Sequence, residues 1–195
     1  ELLVPHWPAE WGGADRPAWE HLILGEEMWA AGEPRGAQYM NVNWIGPTLM
    51  RFGSDEQKRR YIPQMAAGKA IWCQGFSEPS AGSDLASLRT RAERDGDDYV
   101  INGTKIWTSY AALAEHCFLL ARTGGEKGKA GIAIFLVPMS TPGIEVRSIP
   151  SLIGHGDIHE TFFTDVRVPV SARLGEEGEA WSIINYSLAN ERVGI

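Results

Sequence analysis

The stretch from Trp72 to Ser109 constrains this chain more than any other. It opens with an apolar run, Ile71-Trp72-Cys73-Gln74-Gly75-Phe76, that reads as a buried strand. It then breaks into a polar loop of small residues, Ser77-Glu78-Pro79-Ser80-Ala81-Gly82-Ser83-Asp84. It returns as a hairpin that ends Lys105-Ile106-Trp107-Thr108-Ser109. Pro79 fixes one φ and Gly82 can take a positive one, so the loop can fold tightly with N–H groups and hydroxyls pointing one way. An aromatic and two hydroxyls come back at the end of the hairpin. Such a set suits a flat, hydrogen-bonding, phosphate-bearing ligand. The same residues also suit an ordinary surface connection, with Trp107 in a core and Ser77 and Ser109 as turn or edge hydroxyls.

Upstream, the pattern is helical. Pro5, Pro8, Gly12 and Gly13 leave residues 1–16 as a loop. Asp15 suits a cap before a helix with Pro17 in its first turn, which carries Trp19, Leu22, Ile23 and Trp29 inward and stops near Gly32. Val42, Ile45, Leu49 and Phe52 mark a second helix over 38–52, with a kink expected at Pro47. Ser54-Asp55-Glu56-Gln57 is a capping box, and the helix it starts carries Tyr61, Ile62 and Met65 toward Gly68, with Pro63 straining its second half.

After Lys69, short β-rich runs (71–76, 88–94, 98–107, 117–122, 132–137, 144–149 and 160–168) alternate with turn residues. Asp95-Gly96 and Asn102-Gly103 are both hairpin dipeptides. From Glu176 the pattern is helical again, with Trp181, Ile184, Leu188 and Ile195 on one face and acidic residues at its start. The stripe is still running at Ile195, which reads as an element cut short. The class is therefore α+β: an all-α segment over 1–69, a small β-barrel or sandwich domain over 70–175, and the start of a helical bundle over 176–195.

A net charge of −7 on 195 residues argues against nucleic acid or an anionic membrane as partner, though not against a small anionic ligand. No apolar run is long enough to span a bilayer. The two cysteines, Cys73 and Cys117, sit in apolar runs and read as buried, reduced thiols in a cytoplasmic protein. Glu78 and Asp84 invite a paired-carboxylate reading, but a structural role for Glu78 is favoured. His155 and His159 are spaced as if for a metal, yet no third ligand appears and no metal site is expected. No Gly-x-Gly-x-x-Gly follows a strand.

The string GFSEPSAGSD and the hairpin GDDYVINGTKIWTS resemble the flavin-binding signature of the acyl-CoA dehydrogenase family. The resemblance extends from WPAEWGG through FGSDEQKRRYIPQMAAGK to NERVGI, several separated motifs in one order. It implies an N-terminal helical domain, a β-domain and a C-terminal four-helix bundle, of which this chain carries the later part of the first, all of the second and the opening helix of the third. It implies FAD as cofactor and α,β-dehydrogenation of an acyl-CoA thioester, as in fatty acid β-oxidation. Hydride passes to flavin N5, a glutamate removes the α-proton, and electrons go on to an electron-transfer flavoprotein.

By the same resemblance, Gln74, Phe76, Ser77, Ser83, Trp107, Thr108 and Ser109 bind the cofactor. Ser77 bonds the isoalloxazine, Trp107 packs on it and Ser109 lies near N5. Ser83 and Arg192 face the acyl-CoA, and the base lies in the bundle beyond this chain, with Glu191 at a flanking position. Ser80, Gln74, Tyr110-Ala111 and Ala189 depart from common family residues, the last three where substrate varies. WCQGFSEPSAGSDLASLRTRA and IWTSYAALAEHCFLLART resemble bacterial relatives acting on bulky or steroid side-chain thioesters, some of them heteromeric. A homotetramer or heterotetramer is implied. An oxidase-like relative, or an inert subunit lending half a flavin pocket to a catalytic partner, are the alternatives.

Overall fold

The computed structural model of the protein describes residues 3–33, 36–124, 128–152, 154 and 156–193. Helices α1 (Ala18–Ala30), α2 (Gln38–Met40), α3 (Gly46–Phe52) and α4 (Asp55–Ala66) precede the strands. These are β1 (Trp72–Gly75), β2 (Arg91–Asp95), β3 (Asp98–Ser109), β4 (His116–Arg122), β5 (Ile132–Pro138), β6 (Ile144–Ser148), β7 (Ile158–Pro169) and β8 (Arg173–Leu174). Helix α5 (Ala180–Val193) follows. The α+β class read from the sequence is the observed one.

The start of α4 follows from its cap. Gln57 N donates to Ser54 Oγ at 3.2 Å and Ser54 N donates to Gln57 Oε1 at 3.0 Å, a reciprocal box. Gln57 Nε2 donates onward to the carbonyls of Ser171 and Arg173, both at 2.9 Å, which ties the helix to the last strand. Pro63 stays inside the helix. At its end Gly68 takes φ +66, and Gly68 N and Lys69 N bond the carbonyls of Met65 and Gln64 at 3.0 and 2.9 Å.

Pro47 produces no break. A π turn over Asn41–Ile45 joins α2 to α3. Proline lacks an N–H and its ring presses on the carbonyl four residues back, so one extra residue in the preceding turn opens the space it needs. Gly46 belongs to the same adjustment, because a Cβ there would lie 2.3 Å from the Trp7 indole.

Helix α1 departs from expectation more sharply. Pro17 occupies its N-cap with no side-chain bond, and Asp15 does not cap it. Trp19, Leu22, Ile23 and Trp29 face outward, exposed by 59, 58, 51 and 62%. None of them joins either hydrophobic cluster. Apolar spacing marks a stripe but carries no information about what the stripe packs against.

The eight strands form one sheet in the order β6-β7-β3-β2-β4-β5-β8, with β1 pairing β4 in parallel. The β2–β4 link is a single pair, Arg91 with Arg122, and there the sheet curls back on itself. Tyr99 of β3 meets Phe135 of β5 edge-on at 4.9 Å, so the two parts face each other. Strands β4 and β5 are buried on both sides. Cys117, Leu119, Phe135 and Val137 point into the curl, while Phe118, Leu120, Ile134 and Leu136 pack on the helices beside Ile45, Leu49, Ile62 and Ile184. Each such fully buried side chain contributes roughly 1.5–3 kcal/mol. Cys73 and Cys117 lie side by side across the parallel β1–β4 pair as buried free thiols. A hydrogen bond to Cys117, in which the Cys73 S–H donates, together with burial pushes the Cys73 thiol well above its ordinary range.

Asp95-Gly96 makes the expected hairpin, with Asp95 opposite Asp98 and Gly96 at φ +63. Asn102-Gly103 does not. It lies inside β3, at a register shift against β7, where a Cβ on Gly103 would stand 2.4 Å from Thr90 Oγ1. There the glycine permits close approach of β3 and the segment that enters β2 rather than a turn. Strand β8 and the π turn carry no pattern long enough to read. Ile195 and His155 lie outside the described residues.

Imidazoles inside this packing make stability sensitive to acid. Burial holds His116, stacked on Trp72 at 4.7 Å, and His6, stacked on His21 at 3.9 Å, near pKa 4. Between about pH 6.5 and pH 4 the unfolded chain binds protons that the folded chain refuses, so stability falls as pH falls through that window. Urea midpoints measured from pH 7 to 4.5 are expected to decline steadily, and His116→Gln should make the slope shallower.

Candidate functional site

The loop after β1 is built on a buried ion pair. Lys105, on β3, is fully buried and donates to Glu78 Oε1 at 2.9 Å and to the Phe76 carbonyl at 3.0 Å. Glu78 also accepts from the backbone N–H groups of Arg89 at 2.6 Å and Thr90 at 2.8 Å. Burial alone would raise the Glu78 pKa, but the Lys105 charge and these hydrogen bonds outweigh it and hold the carboxyl below its usual range. Burial pushes Lys105 down, with Glu78 opposing. Asp84 is exposed and takes no part, so the structural role expected of Glu78 is the one observed. The turn itself closes through Glu78 N to Ala81 O at 2.8 Å and Ala81 N to Glu78 O at 3.1 Å. Gly82 does not use a positive φ.

The clamp lays the loop against the end of β3, where Ile106 N donates to Ser77 O at 2.9 Å. At this point β3 carries a bulge. Lys105 pairs with Thr161 and Thr108 with His159, so two residues oppose Glu160 alone. Trp107 accommodates the extra residue at φ +61, a left-handed conformation that costs a non-glycine residue roughly 1–2 kcal/mol. The result is a break in alternation. Lys105 and Thr108 point inward, while Ile106, Trp107 and Ser109 open onto the same side.

That side is a cavity of about 480 Å³. Gln74, Phe76 and Ser77 come to it from β1 and its loop, and Trp107 and Ser109 from β3. Tyr39, Met40 and Trp44 arrive from α2 and the π turn, and Glu191 from α5. Trp107 is 61% exposed, so it is not core. Thr108 is 1% exposed with its Oγ1 unbonded, on the far side of the strand from the cavity. Ser83 and Arg192 are exposed and do not line it. No motif marks Trp44, Tyr39 or the Glu191 carboxylate as part of the site, because their placement depends on α2 and α5 packing across β1. His159 is buried with Nδ1 3.2 Å from Thr108 O, and among the described residues no cluster could hold a metal ion.

Comparison with known proteins identifies the family. The family model for the acyl-CoA dehydrogenase N-terminal domain matches residues 1–69, and that for the middle domain residues 73–166. The chain belongs to the acyl-CoA dehydrogenase family. Acyl-CoA dehydrogenase FadE26 of Mycobacterium tuberculosis is 42% identical over 197 residues, covering 99% of this chain and 48% of the relative. The solved structure of the Tcur3481-Tcur3483 steroid ACAD superposes with a TM-score of 0.92 at 41% identity, over 98% of this chain and 50% of that one. A glutaryl-CoA dehydrogenase from Mycobacterium smegmatis, solved in complex with FADH2, gives 0.83 at 35% identity, over 99% and 49%. The chain thus spans about half the length of the relatives it matches. Among its described residues no helix is long and apolar enough to cross a membrane.

In this acyl-CoA dehydrogenase family chain, leaving one charge of the clamp without its partner should be costly. Lys105→Met or Glu78→Gln alone is expected to lower unfolding free energy by about 3–5 kcal/mol, and the double variant by less than either single change. Urea titration of the four proteins at pH 7 checks both statements.

Proposed function

We propose that this chain supplies the flavin-facing wall of an FAD-dependent acyl-CoA dehydrogenase. The observation that carries the reading is the convergence of Trp107, Ser109, Ser77, Phe76 and Gln74 on one cavity, from two strands held together by the Lys105–Glu78 clamp. The residues fit a flavin ring. A bulky indole is held in a strained conformation and still presented outward, which is a use of stability that core packing does not explain. Beside it stand hydroxyls and an amide able to bond a heteroaromatic edge.

When bound, FAD accepts the hydride that leaves the β-carbon of the thioester. The chain's own residues supply contact, orientation and the proton site. Trp107 would pack on the ring face, and Ser77 would hydrogen-bond its edge. Ser109, on the same cavity wall, would donate toward the atom where negative charge develops. Among the described residues Glu191 is the carboxylate on the cavity wall, and we assign it the α-proton in place of the base that the resemblance puts farther along the bundle. The Cα–H bond breaks, its electron pair becomes the new Cα–Cβ double bond, and the proton rests on a Glu191 oxygen. Thr108 serves as core in this reading, and Ser83 and Arg192 reach ligand parts outside the cavity, such as phosphates.

The substrate class follows the relatives: an acyl-CoA thioester, with bulky or steroid side chains favoured by the likeness to the steroid enzyme. An electron-transfer flavoprotein as acceptor, assembly with like or unlike subunits and a cytoplasmic setting belong to the same proposal. The outward apolar face of α1 supports assembly, since burying it removes four large side chains from water.

The whole protein, purified with FAD, should be yellow and should bleach anaerobically with at least one member of an acyl-CoA series running from four carbons to steroid side chains. Trp107→Ala should weaken FAD retention, and Ser109→Ala should slow bleaching about tenfold, equivalent to ~1.4 kcal/mol. Glu191→Gln should keep the colour and lose nearly all bleaching. A wild-type protein that takes up no flavin would sink the reading.

A further inference from the structure

Trp44, Gln74 and Glu191 come from three separate elements, the π turn, β1 and α5, and meet in a line. Trp44 Nε1 donates to Gln74 Oε1 at 2.7 Å, and Gln74 Nε2 donates to Glu191 Oε2 at 3.2 Å. An indole nitrogen can only donate, so the amide oxygen must face Trp44 and the amide nitrogen must face the carboxylate. The usual freedom of a glutamine to flip end for end is removed. Trp44 is itself fixed. It is 6% exposed, its carbonyl accepts from Thr48 Oγ1 at 2.6 Å, and its ring meets Tyr39 edge-on at 5.7 Å. All three side chains line the cavity that Trp107 and Ser109 also line.

We propose that Gln74, oriented by Trp44, is a positioning residue that holds the Glu191 carboxylate in the rotamer from which it takes the substrate proton. The inference rests on reading Glu191 as the proton acceptor. Glu191 stands near the end of α5, where a glutamate side chain has several rotamers open to it. One hydrogen bond from an amide that cannot flip selects among them, and it leaves the second carboxylate oxygen for the substrate. A misplacement of about 1 Å at such a group is enough to cost a hundredfold in rate. The amide also distinguishes this chain from a purely apolar wall. Leucine at position 74 would fill similar space and leave both Trp44 Nε1 and Glu191 without a partner.

Two measurements on the whole, FAD-loaded protein test this. In the first, bleaching kinetics are followed with the thioester that reduces the wild type fastest. Gln74→Leu should lower kcat ten- to thirtyfold with KM changed less than threefold, and Trp44→Phe, which keeps a ring but removes the donor, should show a smaller loss of the same kind. In the Glu191→Asp background, where the shortened carboxylate keeps measurable bleaching but draws away from Gln74 Nε2, Gln74→Leu should produce no further loss. A Gln74 residue that merely supports the fold would show its full effect again in that background, and that additivity would overturn the proposal.

The second measurement needs no turnover. The Trp44 indole N–H resonance, assigned by its disappearance in Trp44→Phe, should exchange with D2O faster in Glu191→Leu than in wild type, because the amide is then free to turn. An exchange rate unmoved by Glu191→Leu overturns the relay. Should the wild type bleach with no thioester, the functional reading fails, and the exchange measurement still decides whether the three side chains form a line.

Discussion

An ammonium group with no access to water sits at the centre of this structure. Lys105 is buried inside the curled sheet, and among the described residues Glu78 and the Phe76 carbonyl accept its hydrogen bonds and offset the loss of its hydration. A buried pair of this kind is weak evidence of net stability, since desolvation opposes the Coulomb gain. Its consequence is geometric. Glu78 is bonded by Lys105 from β3 and by two backbone N–H groups at the entry to β2, so three chain segments must meet at one carboxylate. The loop after β1 is thereby laid along the end of β3 and cannot drift from it.

The cavity depends on that alignment together with one departure from strand regularity. Strict alternation would put Lys105, Trp107 and Ser109 on a single face, which would either bury the tryptophan or expose the lysine. The bulge separates them, with the positive φ of Trp107 as its cost. Lys105 goes in to form the clamp and Trp107 goes out to the cavity wall. The two devices are coupled, because the residue that anchors the loop and the residue that faces the cavity are two positions apart.

Some of this was legible in the residues. The Ser54–Gln57 box, the Asp95-Gly96 hairpin and the β-rich runs over 117–122 and 132–137 are local signals, and each corresponds to an observed feature. The resemblance implies a common location for Ser77, Trp107 and Ser109, and the fold brings these three to one cavity. Thr108 was grouped with them because neighbours in a motif look equivalent in a string. Which way a strand residue points depends on a bulge that no residue type announces. Asn102-Gly103 misleads for a related reason, since the glycine that permits a turn equally permits a strand and a neighbouring segment to come close.

The outward stripe of α1 and the Trp44–Gln74–Glu191 line mark the other limit. Periodicity established that α1 has an apolar face, because helical geometry repeats every 3.6 residues wherever the helix lies. It could not say where that face points, since that is a property of the neighbours. Likewise, residue types established that a carboxylate, an amide and an indole exist at 191, 74 and 44. Only the packing of α5 and the π turn across β1 brought them within hydrogen-bond reach. Local backbone preference and hydrophobic period are encoded over a few residues, whereas contacts over 30 and 117 positions arise only when the whole core closes.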